Sequence, residues 1–243
     1  MARPWQTLDR VASAGGELEL RRRGERDFLI TADGRVLMTS AAHRSERALA
    51  DWVCEALPRR APRLLIGGLG MGYTLRAALD ALPADASLRV AELEPAVLRW
   101  CRGPLAGLCD APLLDPRVEV VVGDVMEPIR AAASGSEAPW HGIALDLFEG
   151  PRGTRGEEDH PLYGLAALAA VRDALTPSGV LGIWSEADAP AFPRRLARVG
   201  LAPETRRAGR GGRRHTLYRA RRLQAGLGTG RSVGGDGALD PAR

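Results

Sequence analysis

A chain of 243 residues with 45% hydrophobic residues can bury a sizeable core, which excludes wholesale disorder and fits one α/β domain with small additions. The formal net charge is +4 and every fixed cation is arginine, because the sequence contains no lysine. So mild a balance does not by itself define a nucleic-acid binder.

Residues 1–9 lack the apolar stretch of a secretory signal, and no run of about 18 apolar residues follows, so a cytoplasmic protein is expected. From Glu17 to Met38 the pattern is one of short strands. Leu18 and Leu20 alternate with charged residues, Phe28-Leu29-Ile30 follows, and Asp33-Gly34 is a hairpin turn before Val36-Leu37-Met38. This predicts a small β-ribbon over residues 1–43. Ser45 is placed to N-cap a helix running to Leu57, which Pro58 ends.

A repeated strand–helix rhythm comes next. Strands are predicted at Arg63–Gly67, Leu88–Glu92, Val118–Val122, Ile143–Asp146 and Val180–Trp184. Helices are predicted at Met71–Leu82, Pro95–Arg102, Val125–Ala133, Leu162–Leu175 and Phe192–Val199. The alternation implies right-handed crossovers and a doubly wound, mainly parallel α/β sheet. Residues 202–207 and 214–220, joined by Gly209-Arg-Gly-Gly, read as an antiparallel hairpin. Five alternating units and a terminal hairpin make the seven-stranded class I methyltransferase-like architecture over residues 44–222. The polar, glycine-rich residues 223–243 read as a disordered tail.

The segment Gly67-Gly68-Leu69-Gly70-Met71-Gly72 lies between a buried strand and a helix start, where glycines permit close approach to a ligand and free N–H groups face it. A pyrophosphate would suit such a loop as well. However, Tyr73 stands where the G-x-G-x-x-G fingerprint needs its last glycine. Glu92 ends the second strand about twenty positions on, where an acid accepts from both ribose hydroxyls. Asp124 follows the third strand at the same sheet edge. It could accept from an adenine amino group, or cap the next helix instead.

The runs Leu64–Arg76 (LLIGGLGMGYTLR), Ala91–Val97 (AELEPAV) and Asp115–Asp124 (DPRVEVVVGD) resemble the spermidine synthase-like family. So do the ribbon ahead of the sheet and Leu37-Met38-x-Ser40 with Ser45-Glu46 downstream. The resemblance covers roughly residues 15 to 220. It implies ribose binding by Glu92, adenine binding by Asp124 and an S-adenosylmethionine or decarboxylated S-adenosylmethionine cofactor in the loop of Gly67, Gly68, Gly70 and Gly72. It also implies a homodimer.

At the chemical end, Asp146 closes the fourth strand within Ala144-Leu-Asp-Leu-Phe-Glu-Gly-Pro151. Attack on a sulfonium carbon needs an unprotonated amine, and a carboxylate can orient the amine and accept its proton. By resemblance Asp146 matches the first acid of a D-x-x-D catalytic loop, and Glu149 replaces the second. Asp146 capping its own loop is the competing reading. Glu157, Glu158 and Asp159 extend the acidic stretch, and His160 and Tyr163 border it, with Tyr163 and Glu149 as candidate substrate-binding residues. The family's usual glycine-loop aspartate is missing, since Leu69 and Met71 occupy those positions, and this leaves the transferred group open between aminopropyl and methyl. The expected activity is a transferase moving an aminopropyl or related alkyl group to an amine. A methyltransferase acting on a small molecule or RNA, and a non-catalytic nucleotide-binding paralogue, remain alternatives.

Eight arginines of the terminal hairpin, among them Arg206, Arg207, Arg219 and Arg222, could track phosphates. Only Tyr218 is near for base stacking, so a solvated hairpin is the simpler reading. Cys54, Cys101 and Cys109, and His43, His141, His160 and His215, show no ligand spacing, so reduced thiols and no metal are expected. A small-molecule amine is the expected partner rather than nucleic acid or membrane.

Overall fold

The structure, a computed structural model, describes residues 3–13, 15–148, 150–151, 161–209 and 214–224. Four N-terminal strands, β1 (Gln6–Ser13), β2 (Gly16–Arg23), β3 (Asp27–Ala32) and β4 (Arg35–Thr39), form an antiparallel meander. Period-2 alternation in β2 and β3 buries Leu18, Leu20, Phe28 and Ile30 on one face. Asp33 and Gly34 both adopt positive φ, as a two-residue hairpin turn matched to strand twist requires. β1 was not expected from the sequence. None of its side chains is fully buried, and it is held as an edge strand by its ladder to β2.

After α1 (Arg44–Cys54) comes the larger sheet, whose carboxyl ends build the site. Its parallel strands are β5 (Arg63–Gly67), β6 (Ser87–Glu92), β7 (Val118–Val122), β8 (Trp140–Leu145) and β9 (Leu175–Ser185). The helices between them are α2 (Tyr73–Ala81), α3 (Pro95–Arg102), α4 (Met126–Ala133) and α5 (Leu165–Ala174). Then come α6 (Phe192–Arg198) and the strands β10 (Leu201–Ala208) and β11 (His215–Arg222), with β11 antiparallel to both neighbours. The sheet order is β10-β11-β9-β8-β5-β6-β7, the seven-stranded α/β arrangement expected from the sequence. Strand order reverses between β5 and β8, which opens a crevice at their carboxyl ends.

Two layers of core flank this sheet. One unites α1, α2 and α3 with Leu18, Leu20, Phe28 and Ile30 of the meander, so the N-terminal sheet shares a core with the α/β unit. The other is built by α4, α5 and α6. Among the described residues no helix is long and apolar enough to cross a membrane.

Three local expectations are corrected. Ser45 does not cap α1: it lies inside the helix, and its hydroxyl bonds the Glu46 carboxylate and the His215 ring instead. α1 stops at Cys54, and tight turns from Val53 and Cys54 carry the chain to Leu57. α5 ends at Ala174 and passes directly into β9, so Pro177 lies in a strand. The β8–β9 register breaks between Trp140–Leu175 and Gly142–Val180, and that irregularity accommodates a residue with no N–H. The 210–213 part of the hairpin turn and the tail from 225 lie outside the described residues.

Candidate functional site

Strand β5 delivers the glycine loop into the crevice. Gly68 has φ +88°, and a Cβ there would stand 2.5 Å from the Asp146 carbonyl oxygen, so only glycine lets the end of β8 approach. The loop is tied down by Gly68 N–H to Ala91 O (2.9 Å) and Gly72 N–H to Leu69 O (2.8 Å). Glu92, at the end of β6 and 7% exposed, accepts from Leu69 N–H at 2.7 Å and from Glu94 N–H at 2.8 Å. Burial raises its pKa, and the amide donors partly offset that rise. The Gly70 amide adds a third backbone interaction with this carboxylate, whose two oxygens together offer about four acceptor positions.

Sulfur braces the same loop. Met71 N–H donates to Met38 Sδ at 3.2 Å, the Cys101 thiol to Gly70 O at 3.1 Å, and the Cys109 thiol to Met71 O at 3.5 Å. Met38 comes from β4, and a Cβ on Gly70 would lie 2.7 Å from its Cε. The meander thus touches the loop directly.

Asp146 follows β8, with its N–H bonded to Gly67 O at 2.9 Å. Its carboxylate accepts from the Thr74 hydroxyl at the start of α2. Its pKa is pushed up to about 7, chiefly by burial and further by the charge of Glu46, against the opposing Thr74 hydrogen bond. A cavity of about 220 Å³ joins these groups, with the carboxylates of Glu46, Glu92, Glu94 and Asp146 in its wall beside Gly68 and Gly70. No cationic side chain lines it among the described residues. A second cavity of about 560 Å³ meets the first at Leu37, Met38, Glu46, Phe148 and Trp184.

The structure brings Gly67, Gly68, Gly70, Gly72, Glu92 and Asp146 together at one edge. Asp124 stands exposed beyond β7 and accepts from Met126 N–H, at the first residue of α4, at 2.9 Å, which leaves its second oxygen for another donor. Tyr163 is not brought to the cleft. It is 2% exposed in the core of α4, α5 and α6, edge-on to Phe192. Glu149, Glu157, Glu158, Asp159 and His160 lie outside the described residues. Five of the described hairpin arginines have structural partners. Arg206 and Arg219 lie over the Trp52 ring, Arg207 pairs with Asp188, and Arg221 and Arg222 donate to carbonyls of Ser178 and Leu175. Among the described residues no His/Cys/Asp/Glu group could hold a metal.

Sequence reasoning assigned no role to Glu46, Thr74, Met38 or Trp184. One signal for Glu46 was available: it precedes Leu49 and Ala50 by three and four residues, which puts an acid on the buried face of α1.

No protein-family model matches the chain. The polyamine aminopropyltransferase of Mycobacterium tuberculosis (strain CDC 1551 / Oshkosh) is 30% identical over 169 residues, covering 70% of this chain and 31% of that protein. The enzyme of the same name from Mycobacterium bovis (strain ATCC BAA-935 / AF2122/97) gives the same values. The chain thus spans about a third of the length of these curated relatives. Among solved structures, a spermidine synthase in complex with the transition state analogue AdoDATO superposes with a TM-score of 0.70 at 20% identity, over 89% of this chain and 74% of that one. The spermidine synthase from Thermotoga maritima superposes with a TM-score of 0.70 at 17% identity, over 89% and 73%. Over those 169 residues the chain is thus similar in sequence to polyamine aminopropyltransferases, and over most of its length it shares the fold of spermidine synthases.

Proposed function

We propose that the protein moves an aminopropyl group from decarboxylated S-adenosylmethionine to an amine acceptor. One observation carries this choice: the cavity under the glycine loop presents Glu46, Glu92, Glu94 and Asp146 and no cationic side chain among its described lining residues. S-adenosylmethionine would bring an α-carboxylate against these acids, and like charges at close range cost several kcal/mol. The decarboxylated donor brings only a sulfonium and an ammonium, both attracted. The apolar Leu69 and Met71 therefore do not decide against aminopropyl transfer, because the anionic character resides in the surrounding wall.

Within this reading Glu92 accepts from the ribose hydroxyls with the lone pairs that its backbone donors leave. Asp124 offers its second oxygen to the adenine amino group. Asp146 takes a proton from the acceptor ammonium. The freed nitrogen lone pair forms a bond to the carbon beside the sulfonium as the carbon–sulfur bond breaks, and its electrons neutralise the sulfur. A base whose pKa lies near 7 is suited to that exchange at neutral pH.

The test supplies either donor with putrescine and follows the nucleoside released. Methylthioadenosine formed from the decarboxylated donor supports the proposal. S-adenosylhomocysteine formed from S-adenosylmethionine would overturn it in favour of methyl transfer.

A further inference from the structure

The family's loop acid is absent, yet an ammonium brought beside Asp146 still needs a second anion to offset its loss of water. Glu46 stands where one is needed. It is 5% exposed and lines both cavities, whereas Asp146 lines only the inner one. Its charge acts on Asp146, and the Thr74 hydroxyl that bonds Asp146 also lies 3.4 Å from the Glu46 carbonyl oxygen.

A short hydrogen-bond chain holds Glu46 in place. The Ser45 hydroxyl has one proton and gives it to Glu46 Oε2 at 2.6 Å, so it accepts from His215 Nδ1 at 2.9 Å. That direction places a proton on Nδ1 of His215. The imidazole lies 4.6 Å from the Trp184 ring, centre to centre, and Trp184 also lines both cavities. Strand β11, the last of the described strands, is thereby linked to an acid on α1.

We propose that Glu46 receives the acceptor's ammonium at the junction of the two cavities, and that His215, acting through Ser45, is the positioning residue that aims its carboxylate. The acceptor then enters through the outer cavity while the donor fills the inner one. The role rests on the aminopropyl-transfer reading. Among the described residues, the charged groups that line the two cavities with this hydrogen-bond chain are Arg44 on α1, Glu186 beyond β9 (paired with Arg35 of β4), Glu92 and Glu94 beside the glycine loop, and Asp146 beyond β8. Arg35 is engaged by Glu186 at 2.7 Å and lies over Phe148, so Arg44 is the cation that shares the outer cavity with Glu46 among its described lining residues.

The experiment compares wild type with Glu46→Gln, His215→Leu and His215→Gln. It measures acceptor KM at saturating donor, methylthioadenosine binding by calorimetry, and the pH profile of kcat/KM for the amine. Glu46→Gln should raise acceptor KM by about tenfold or more, equivalent to about 1.4 kcal/mol, with methylthioadenosine binding unchanged. His215→Leu should raise acceptor KM and alter the pH profile. His215→Gln, which can still donate to Ser45, should restore KM but not the profile. An unchanged acceptor KM in Glu46→Gln, or an equal loss of methylthioadenosine binding, overturns the assignment. If wild type releases no methylthioadenosine with any diamine, the aminopropyl reading fails separately. Calorimetry of putrescine against the methylthioadenosine complex then decides the role of Glu46. Weaker putrescine binding in Glu46→Gln supports it, and equal or absent binding in both proteins rejects it.

Discussion

Two carboxylates in the site differ in what surrounds them, and the roles proposed for them follow that difference. Glu92 is held by two backbone N–H donors and is bound into the loop's own geometry. Asp146 has the Thr74 hydroxyl and a neighbouring acid, with a pKa raised to about 7. Activity should accordingly rise with pH: kcat/KM should climb by about tenfold per unit below 7 and level off above it, as a base that must be ionised requires. A flat profile between pH 5 and 8 would remove Asp146 from that role. Asp146→Asn should lower kcat by about 10²–10⁴ while methylthioadenosine still binds, as isothermal titration would show. The same substitution should alter stability with a definite sign. A carboxyl whose folded pKa is raised stabilises the fold below its unfolded pKa and loses that contribution as pH climbs through 7. Asp146→Asn should therefore melt higher than wild type at pH 8, with the gap closing toward pH 4. Glu92→Ala should instead weaken nucleoside binding, and an unaltered isotherm would count against its ribose contact.

At the scale of elements, the glycine loop works because three other elements press on it: the end of β8 at Gly68, Met38 of β4 at Gly70, and the thiols of Cys101 and Cys109. Gly68→Ala would need positive φ and would collide with the Asp146 carbonyl, so a loss of about 2–4 kcal/mol in urea unfolding is expected, with activity falling too. Placing an acid at Gly70 should fail unless Met38 is shortened, because both claim one space. Gly70→Asp should thus be better folded on a Met38→Ala background than alone, a coupling that a double-mutant cycle reads directly. The alternation of strands and helices, the glycine spacing and Glu92 were legible in the sequence, because each is a local pattern with a local cause. Met38 and His215 were not, and Glu46 only through its spacing on α1, since what brings the three together is the docking of the meander and of β11 on the sheet edge. Tyr163 misled for the same reason: closeness in sequence to the acidic loop does not fix which face of the fold a ring enters.

At the scale of the whole molecule, the two sheets are joined by a common core. Buried Leu20 and Phe28 of the meander share one cluster with Leu49 and Ile66 of the α/β unit. We therefore expect one cooperative unfolding transition, with Phe28→Ala lowering stability by about 3–5 kcal/mol. Two separate transitions by circular dichroism and fluorescence would contradict a common core. Phe28→Ala should also impair turnover, since β4 brings Leu37 and Met38 to both cavities.

The thiols that donate to the glycine loop from α3 and from the turn beyond it make the loop's opening observable. Cys101 and Cys109 are buried, with pKa values pushed up to about 12 and about 11, so an alkylating reagent meets almost no thiolate while the loop stays closed. Labelling should then proceed only through local opening, and its rate would measure how often the loop lets go of its carbonyl acceptors. A nucleoside that closes the loop should slow that labelling, so the native cysteines would act as a built-in clock of occupancy without any engineered probe.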